Sequence, residues 1–151
     1  HFALLKVGPW LTFAWREAMF GLAHVEAELG FAQPSHLIEA LLETMRADPR
    51  DWEPYYHGSP QEIEFKLKYS LSDRSRYYWL REPVRGAVER LFANLSAREI
   101  PEPLLSQYLP AEMLAVREGD LQAEPRALAR ARVKQILDLY ALACGQMKKG
   151  A

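Results

Sequence analysis

Only one segment of this chain has the pattern of a buried β-strand, and this restricts the fold more than any other feature. Residues 2–7 form a nearly continuous apolar run, which Gly8 and Pro9 end. Such a run is typical of a strand that is buried on both faces, as in a parallel sheet. One strand cannot form a sheet, so we expect its neighbours upstream of His1 or in another chain. The chain also starts inside this run and without Met, and we expect it to be a piece of a longer protein.

A long apolar helix is predicted directly after this strand. Residues 12–29 repeat apolar side chains at helical spacing, and Gly30 is placed to end the helix. The first turns are apolar almost all round, so we expect this helix to be covered on more than one side. Strand, Gly-Pro turn and buried helix together predict one βα unit of an α/β fold over residues 1–29.

The later segments indicate only helices and loops. Ser59, Pro60 and Glu62 form the clearest helix start, with a capping serine, a proline in the first turn and a glutamate that completes a capping box. Ser35 is placed to cap an earlier helix. We therefore predict a mainly α chain in which helices take up about two thirds of the residues. The predicted helices span residues 35–47, 59–69, 82–95, at most two short helices between 101 and 119, and 124–144.

Two of these helices have apolar residues along one face, which we expect to be buried. In the helix that starts at Glu82, the face consists of Val84, Ala87, Val88, Leu91, Phe92 and Leu95. In the last helix, it consists of Val133, Ile136, Leu137, Tyr140 and Cys144.

Composition excludes several classes of function. With 19 Lys and Arg against 20 Asp and Glu, the net charge of -1 gives no overall attraction to nucleic acid or to an anionic membrane. The apolar runs are shorter than the roughly 18 residues that a membrane span needs. Cys144 is the only cysteine, so an intrachain disulfide is impossible and a reducing, cytoplasmic location is expected.

The chain offers few catalytic motifs. Its four histidines lack a second ligand at zinc-binding spacing, so we expect no metal or other cofactor in this chain. The glycine patterns of P-loops, dinucleotide-binding folds and α/β-hydrolases are also missing. Gly8 is more informative, because ligands of α/β folds bind at the carboxyl ends of strands, although a plain tight turn is the alternative.

Residues 72–79 combine two arginines with two tyrosines and a tryptophan. This segment could hold a phosphate group. It could equally form a structural corner in which the guanidinium groups stack on aromatic rings and pair with Asp73.

These segments resemble the GatZ/KbaZ family. The resemblance is carried by residues 6–9, 11–14, 16–18, 55–58, 69–70, 72–74, 76–79 and 104–110, which follow one another in the expected order. Leu71, Ser75 and residues 80–82 depart from the family pattern and suggest a divergent member. The resemblance implies the last strand and helix of a class II aldolase-like (β/α)8 barrel over residues 1–29, followed by a C-terminal helical domain over residues 30–151.

The resemblance also implies a function. Family members are non-catalytic partners that stabilise and activate a zinc-dependent tagatose-1,6-bisphosphate aldolase, and they have also been labelled tagatose-6-phosphate kinases. The expected partner is thus a catalytic class II aldolase subunit, which carries the zinc, in an oligomer that takes part in galactitol, N-acetylgalactosamine or tagatose catabolism. The alternatives are a sugar-phosphate kinase or aldolase in its own right, and a helical interaction module.

The resemblance to the GatZ/KbaZ family also implies which residues form a site. Gly8 occupies the place of an asparagine that contacts substrate in catalytic class II aldolases, and Thr12 is offset by one position from a threonine of that motif. Because glycine has no side-chain amide, aldolase chemistry at this strand is in doubt, but an anion pocket remains. Its expected lining is Lys6, Gly8 and Thr12, approached by Arg74, Arg76, Tyr77 and Tyr78. In the alternative, Arg74 pairs with Asp73 or a helix terminus and only anchors the helical domain.

Overall fold

A computed structural model describes residues 8–145, so the predicted strand and Lys6 lie outside the described residues. Within this range, helices hold 70% of the residues and no strand is present. The prediction of a mainly α chain is therefore confirmed for residues 8–145. The α-helices are α1 Trp10–Leu29, α2 Leu37–Ala47, α3 Pro60–Tyr69, α4 Glu82–Ser96, α5 Glu102–Tyr108, α6 Pro110–Glu118 and α7 Pro125–Ala143. Two short 3-10 helices are Pro49–Asp51 and Ser75–Tyr77.

Local signals set most of the helix ends. Gly30 ends α1 in the left-handed conformation, as predicted, with φ of 63°. Ser59 and Glu62 form the predicted capping box at the start of α3. The predicted cap of α2 is wrong, because the residue before α2 is His36 and not Ser35. The Ser35 hydroxyl donates instead to the buried carboxylate of Glu26, 2.5 Å away.

The core is built around α1, which packs against α2, α4, α5 and α7. This confirms that α1 is covered on more than one side. Residues from both predicted domains share one hydrophobic cluster, since Met19 and Leu22 of α1 lie in it together with Leu41 and Leu91. The assignment of residues 1–29 to a barrel therefore stays a prediction that the described packing does not test.

The last helix is less buried than its sequence predicts. Ile136 is buried, but Leu137 is 45% exposed and Cys144 is exposed. The reason is that the buried contacts of α7 are concentrated in its first half, at Leu128 and Ala129. Towards its end, α7 meets the start of α1, where the Tyr140 ring packs edge-on against the half-exposed Trp10 at 5.7 Å.

Candidate functional site

The predicted ligand turn lies at the start of α1 and forms a shallow apolar depression of about 260 Å3. The Thr12 hydroxyl donates a hydrogen bond of 2.9 Å to the Pro9 carbonyl, and so closes the first turn of the helix. Gly8 lines the depression, whose walls are otherwise apolar or aromatic: Pro9, Trp10, Phe13, Leu71 and Tyr140. The described part of this turn thus favours an apolar contact over an anion.

The predicted arginine segment forms a tightly held corner. The Arg74 guanidinium stacks on Tyr55, with 3.4 Å between its Cζ atom and the ring centroid. Arg76 donates to the Asp73 carbonyl at 2.7 Å and to the Tyr77 hydroxyl at 2.8 Å. Both arginines therefore have their guanidinium groups on aromatic rings, which agrees with the structural-corner interpretation.

The partner of Asp73 is Arg16 and not Arg74. Arg16 Nη1 lies 3.0 Å from Asp73 Oδ1 and also donates to the Ser70 carbonyl at 3.0 Å. Both side chains are buried. In the alternative that Arg74 pairs with Asp73 or a helix terminus, the pair with Asp73 is wrong: the Arg74 guanidinium stacks on Tyr55, while α1 places Arg16 beside the carboxylate.

Sequence reasoning missed Arg16, although a signal was present. Arg16 lies on a helix whose neighbouring turns hold Thr12, Phe13, Met19 and Phe20, so no acidic residue of α1 is placed three or four positions away. A buried charge needs a partner. The partner therefore had to come from a distant segment, and the sequence does not say which one.

Buried tyrosines fix the same corner to the rest of the core. The Tyr78 hydroxyl donates to the Asp48 carbonyl at 2.6 Å, and the Tyr56 hydroxyl donates to the Ser72 carbonyl at 2.8 Å. Burial raises the pKa of both phenols above the ordinary value. Both tyrosines therefore stay protonated donors at neutral pH.

Asp48 is held between two arginines in this region. Its carboxylate accepts hydrogen bonds from Arg50, at 2.6 and 2.7 Å, and from Arg81, at 2.6 Å. These two guanidinium groups, Arg50 first, hold the pKa of Asp48 well below its usual range. Arg81 also lies over the Tyr78 ring, at 4.6 Å from its centroid, which joins this ion pair to the corner.

Arg16 and Leu71 connect the corner to the start of α1. Leu71 is 83% exposed and lines the Gly8 depression. Arg74 and Arg76 do not line this depression within residues 8–145. The predicted approach of an arginine to the turn of residues 6–12 stays a prediction, because Lys6 lies outside the described range. Within that range, His, Cys, Asp and Glu side chains form no group of three or more that could hold a metal ion.

Fold and site together define a helical unit in which one central helix is fixed to an aromatic and arginine corner by a buried ion pair. The family model for D-tagatose-1,6-bisphosphate aldolase subunits of the GatZ/KbaZ-like type matches residues 1–145. The chain belongs to this GatZ/KbaZ-like family.

A solved structure supports the same assignment. The chain is similar to a crystal structure described as a probable tagatose 6 phosphate kinase from Sinorhizobium meliloti 1021, with 42% sequence identity and a TM-score of 0.90. The match covers 95% of this chain and 37% of that protein, so the chain spans little more than a third of its length. In residues 8–145, the helices all fall short of the length and apolarity that a membrane crossing needs.

Proposed function

We propose that this chain is part of a non-catalytic subunit that stabilises and activates a class II tagatose-1,6-bisphosphate aldolase in the cytoplasm. The family match over residues 1–145 carries the proposal, because the family is described as a subunit of that aldolase. In this proposal the zinc belongs to the catalytic partner, and the sugar is a product of galactitol, N-acetylgalactosamine or tagatose catabolism.

The apolar depression at Gly8 supports a subunit role. Trp10 and Leu71 line it, and their side chains are 45% and 83% exposed. Exposed apolar side chains around a depression suit a contact with another protein surface. In the proposal, the barrel or the catalytic subunit covers it.

A second function is favoured by the solved structure, which is described as a probable tagatose 6 phosphate kinase. The two functions are separated by assaying the full chain alone and with a catalytic class II aldolase subunit. We expect no cleavage of tagatose 1,6-bisphosphate by the chain alone, and a longer half-life and higher activity of the catalytic subunit when the chain is added. ATP-dependent phosphorylation of tagatose 6-phosphate by the chain alone would establish the kinase instead.

The proposal keeps a sugar-phosphate contact at the predicted pocket of Lys6, Gly8, Thr12, Arg74, Arg76 and Tyr77. It is tested by replacing Arg74 and Arg76 with Ala, one at a time, in the full chain. A contact to phosphate predicts an affinity loss of about tenfold to a hundredfold. An unchanged affinity with a lower melting temperature would leave these arginines only the structural role that their stacking on Tyr55 and Tyr77 indicates.

A further inference from the structure

We propose that a pocket between α1, α3 and α5 binds a small molecule that carries one phosphate or carboxylate group on a ring. The pocket has a volume of about 320 Å3, a size that suits a small ligand. Its first wall is one face of α1: Phe13, Arg16, Glu17, Phe20, Gly21 and His24. Its other walls are Lys68 and Tyr69 of α3 and Gln107 and Tyr108 of α5.

Arg16 supplies the main recognition group. It is only 3% exposed, and its guanidinium is held by Asp73, by the Ser70 carbonyl and by the Phe13 ring, whose centroid lies 4.6 Å from Cζ. Its hydrogen bonds to described residues all leave from Nη1. Within residues 8–145, Nε and Nη2 have no hydrogen-bond partner, and a guanidinium edge that is already fixed in place suits two oxygens of a carboxylate or phosphate.

The other charges of the pocket limit the ligand to a single anionic group. Lys68 adds a second cation, which lies 3.0 Å from its helix neighbour Glu64. Glu17 adds an exposed carboxylate that repels anions. Asp73 partly balances the charge of Arg16, and Glu64 partly balances that of Lys68, so these charges do not favour a polyanion. Recognition of a single oxyanion therefore depends on the fixed donors of Arg16.

We infer the ring of the ligand from the aromatic side chains that line the pocket. Tyr69 is 48% exposed and packs edge-on against Phe20, with 6.3 Å between ring centroids. The imidazole of His24 is stacked on Tyr108, with centroids 5.4 Å apart and an angle of 24° between the planes. Tyr69 and His24 are exposed, and their rings can pack against an aromatic ring or the CH face of a sugar.

Gly21 allows the end of α5, which forms one wall of the pocket, to lie close to α1. A Cβ atom at this position would lie 2.9 Å from the Tyr108 carbonyl oxygen, which is too close for any side chain without a backbone shift. Glycine thus lets the end of α5 approach α1, so that Gln107 and Tyr108 line the same pocket as Arg16. Among residues 8–145, the site shares only Phe13 with the Gly8 depression, and it does not depend on the proposed subunit function.

The direct test is a titration of the full chain followed by NMR shifts of backbone amides. The probes are phenyl phosphate, benzoate, inorganic phosphate and benzyl alcohol. We expect phenyl phosphate or benzoate to shift the amides of Gly21 and His24 in a saturable way. Inorganic phosphate lacks the ring and benzyl alcohol lacks the charge, so both are expected to bind about tenfold more weakly. The tighter of the two charged ring probes identifies the oxyanion.

Two variants and a control test the charges of Lys68 and Glu17. Lys68→Met is expected to weaken binding roughly threefold to tenfold, and Glu17→Gln to tighten it roughly twofold to fivefold. Lys134→Met is the matched control, because Lys134 forms the same i,i+4 ion pair, with Asp138, on α7. It is expected to leave the affinity unchanged.

Arg16→Lys keeps a positive charge for Asp73 but removes the second pair of donors. It is expected to weaken binding about tenfold or more at a temperature where circular dichroism shows the variant folded. The proposal is overturned if neither charged ring probe gives saturable shifts at Gly21 and His24. It is also overturned if these shifts occur but the affinity is the same in the Lys68, Glu17 and Arg16 variants as in the wild type.

Discussion

At the scale of single residues, Arg16 and Asp73 show how a distant pair can decide where a segment lies. They are 57 positions apart, and yet their charged atoms meet at 3.0 Å in the core. A buried ion pair adds little net stability, since both groups lose their hydration, but the removal of one partner leaves the other charge buried and uncompensated. The pair therefore specifies the position of the corner more than it stabilises the fold.

Replacement of Asp73 with Ala is expected to be strongly destabilising for this reason. We expect the free energy of unfolding to fall by about 3–5 kcal/mol, measured by urea denaturation. Arg46→Ala is the control, because Arg46 forms an exposed pair with Glu64 and its loss is expected to cost less than about 1 kcal/mol. Equal effects of the two substitutions would contradict the role given to Asp73.

Asp48 gives a prediction for the dependence of stability on pH. Arg50 and Arg81 lower the pKa of Asp48 in the folded chain. The stability that this carboxylate contributes is thus complete above its unfolded pKa of about 4 and is lost as the pH falls towards the folded value. Asp48→Asn is expected to lower the melting temperature at pH 7, and the difference from the wild type is expected to shrink below about pH 4.

Melting curves by circular dichroism between pH 7 and pH 2 measure this difference. Glu53→Gln is the control, because it removes an exposed carboxylate from the same region of the chain. A difference for Asp48→Asn that is as large at pH 2 as at pH 7 would contradict the prediction.

At the scale of elements, signals that are local in sequence predicted the structure well. The apolar face of α4 is buried at all six predicted positions: Val84, Ala87, Val88, Leu91, Phe92 and Leu95. For α7, the prediction of a buried face was wrong at Leu137 and Cys144, which are exposed. Both faces have the same periodicity, but the exposure of α7 depends on which other elements cover its second half, and the sequence of a helix does not contain that information.

The capping box of α3 provides a prediction at this scale. The Ser59 hydroxyl accepts from the Glu62 amide, and the Glu62 carboxylate accepts from the Ser59 amide at 2.7 Å. Ser59→Ala is expected to lower the free energy of unfolding by about 1 kcal/mol, measured by urea denaturation. Ser96→Ala, at an exposed position near the end of α4, is the control and is expected to have an effect below about 0.5 kcal/mol.

Gly58 supports the same box from outside the helix. Its φ is 134°, and a Cβ atom here would lie 2.6 Å from a carboxylate oxygen of Glu62. Gly58→Ala is therefore expected to cost more than Ser59→Ala, about 1–3 kcal/mol, because it strains the backbone and also displaces the carboxylate. A smaller effect than that of Ser59→Ala would show that the box adapts freely.

At the scale of the whole molecule, α1 is the helix on which the fold depends. Ala18, Met19, Leu22 and Val25 are fully buried, and α1 packs against four other α-helices. Each buried Val, Leu or Met side chain contributes about 1.5–3 kcal/mol, and the net stability of a domain is only about 5–15 kcal/mol. A chain without α1 is therefore expected to lose its cooperative folding.

Two truncated chains test this dependence. The chain that starts at residue 8 is expected to unfold in one cooperative transition, followed by circular dichroism in urea. The chain that starts at residue 30, at the predicted domain boundary, is expected to show no such transition. A cooperative transition of the shorter chain would show that residues 30–145 form an independent domain.

The candidate site shows where prediction from this sequence ends. The sequence identified Gly8, Thr12 and the arginine segment as unusual, and the structure places all of the described ones at the start of α1 or in the corner. It did not predict that Arg16 would connect the two regions. Contacts between segments far apart in the chain depend on how the helices pack, and the pattern of one segment cannot determine them.

The prolines at the helix starts affect whether two copies of this chain can form a domain-swapped dimer. Each of the helices α3 to α7 has proline at its first or second position. Domain swapping between helical proteins often proceeds when a connecting loop straightens and two helices fuse into one. Proline has no amide hydrogen, and its ring clashes with the preceding turn of a helix. Fusion is thus blocked at five successive junctions, which protects the chain from this route to swapped dimers.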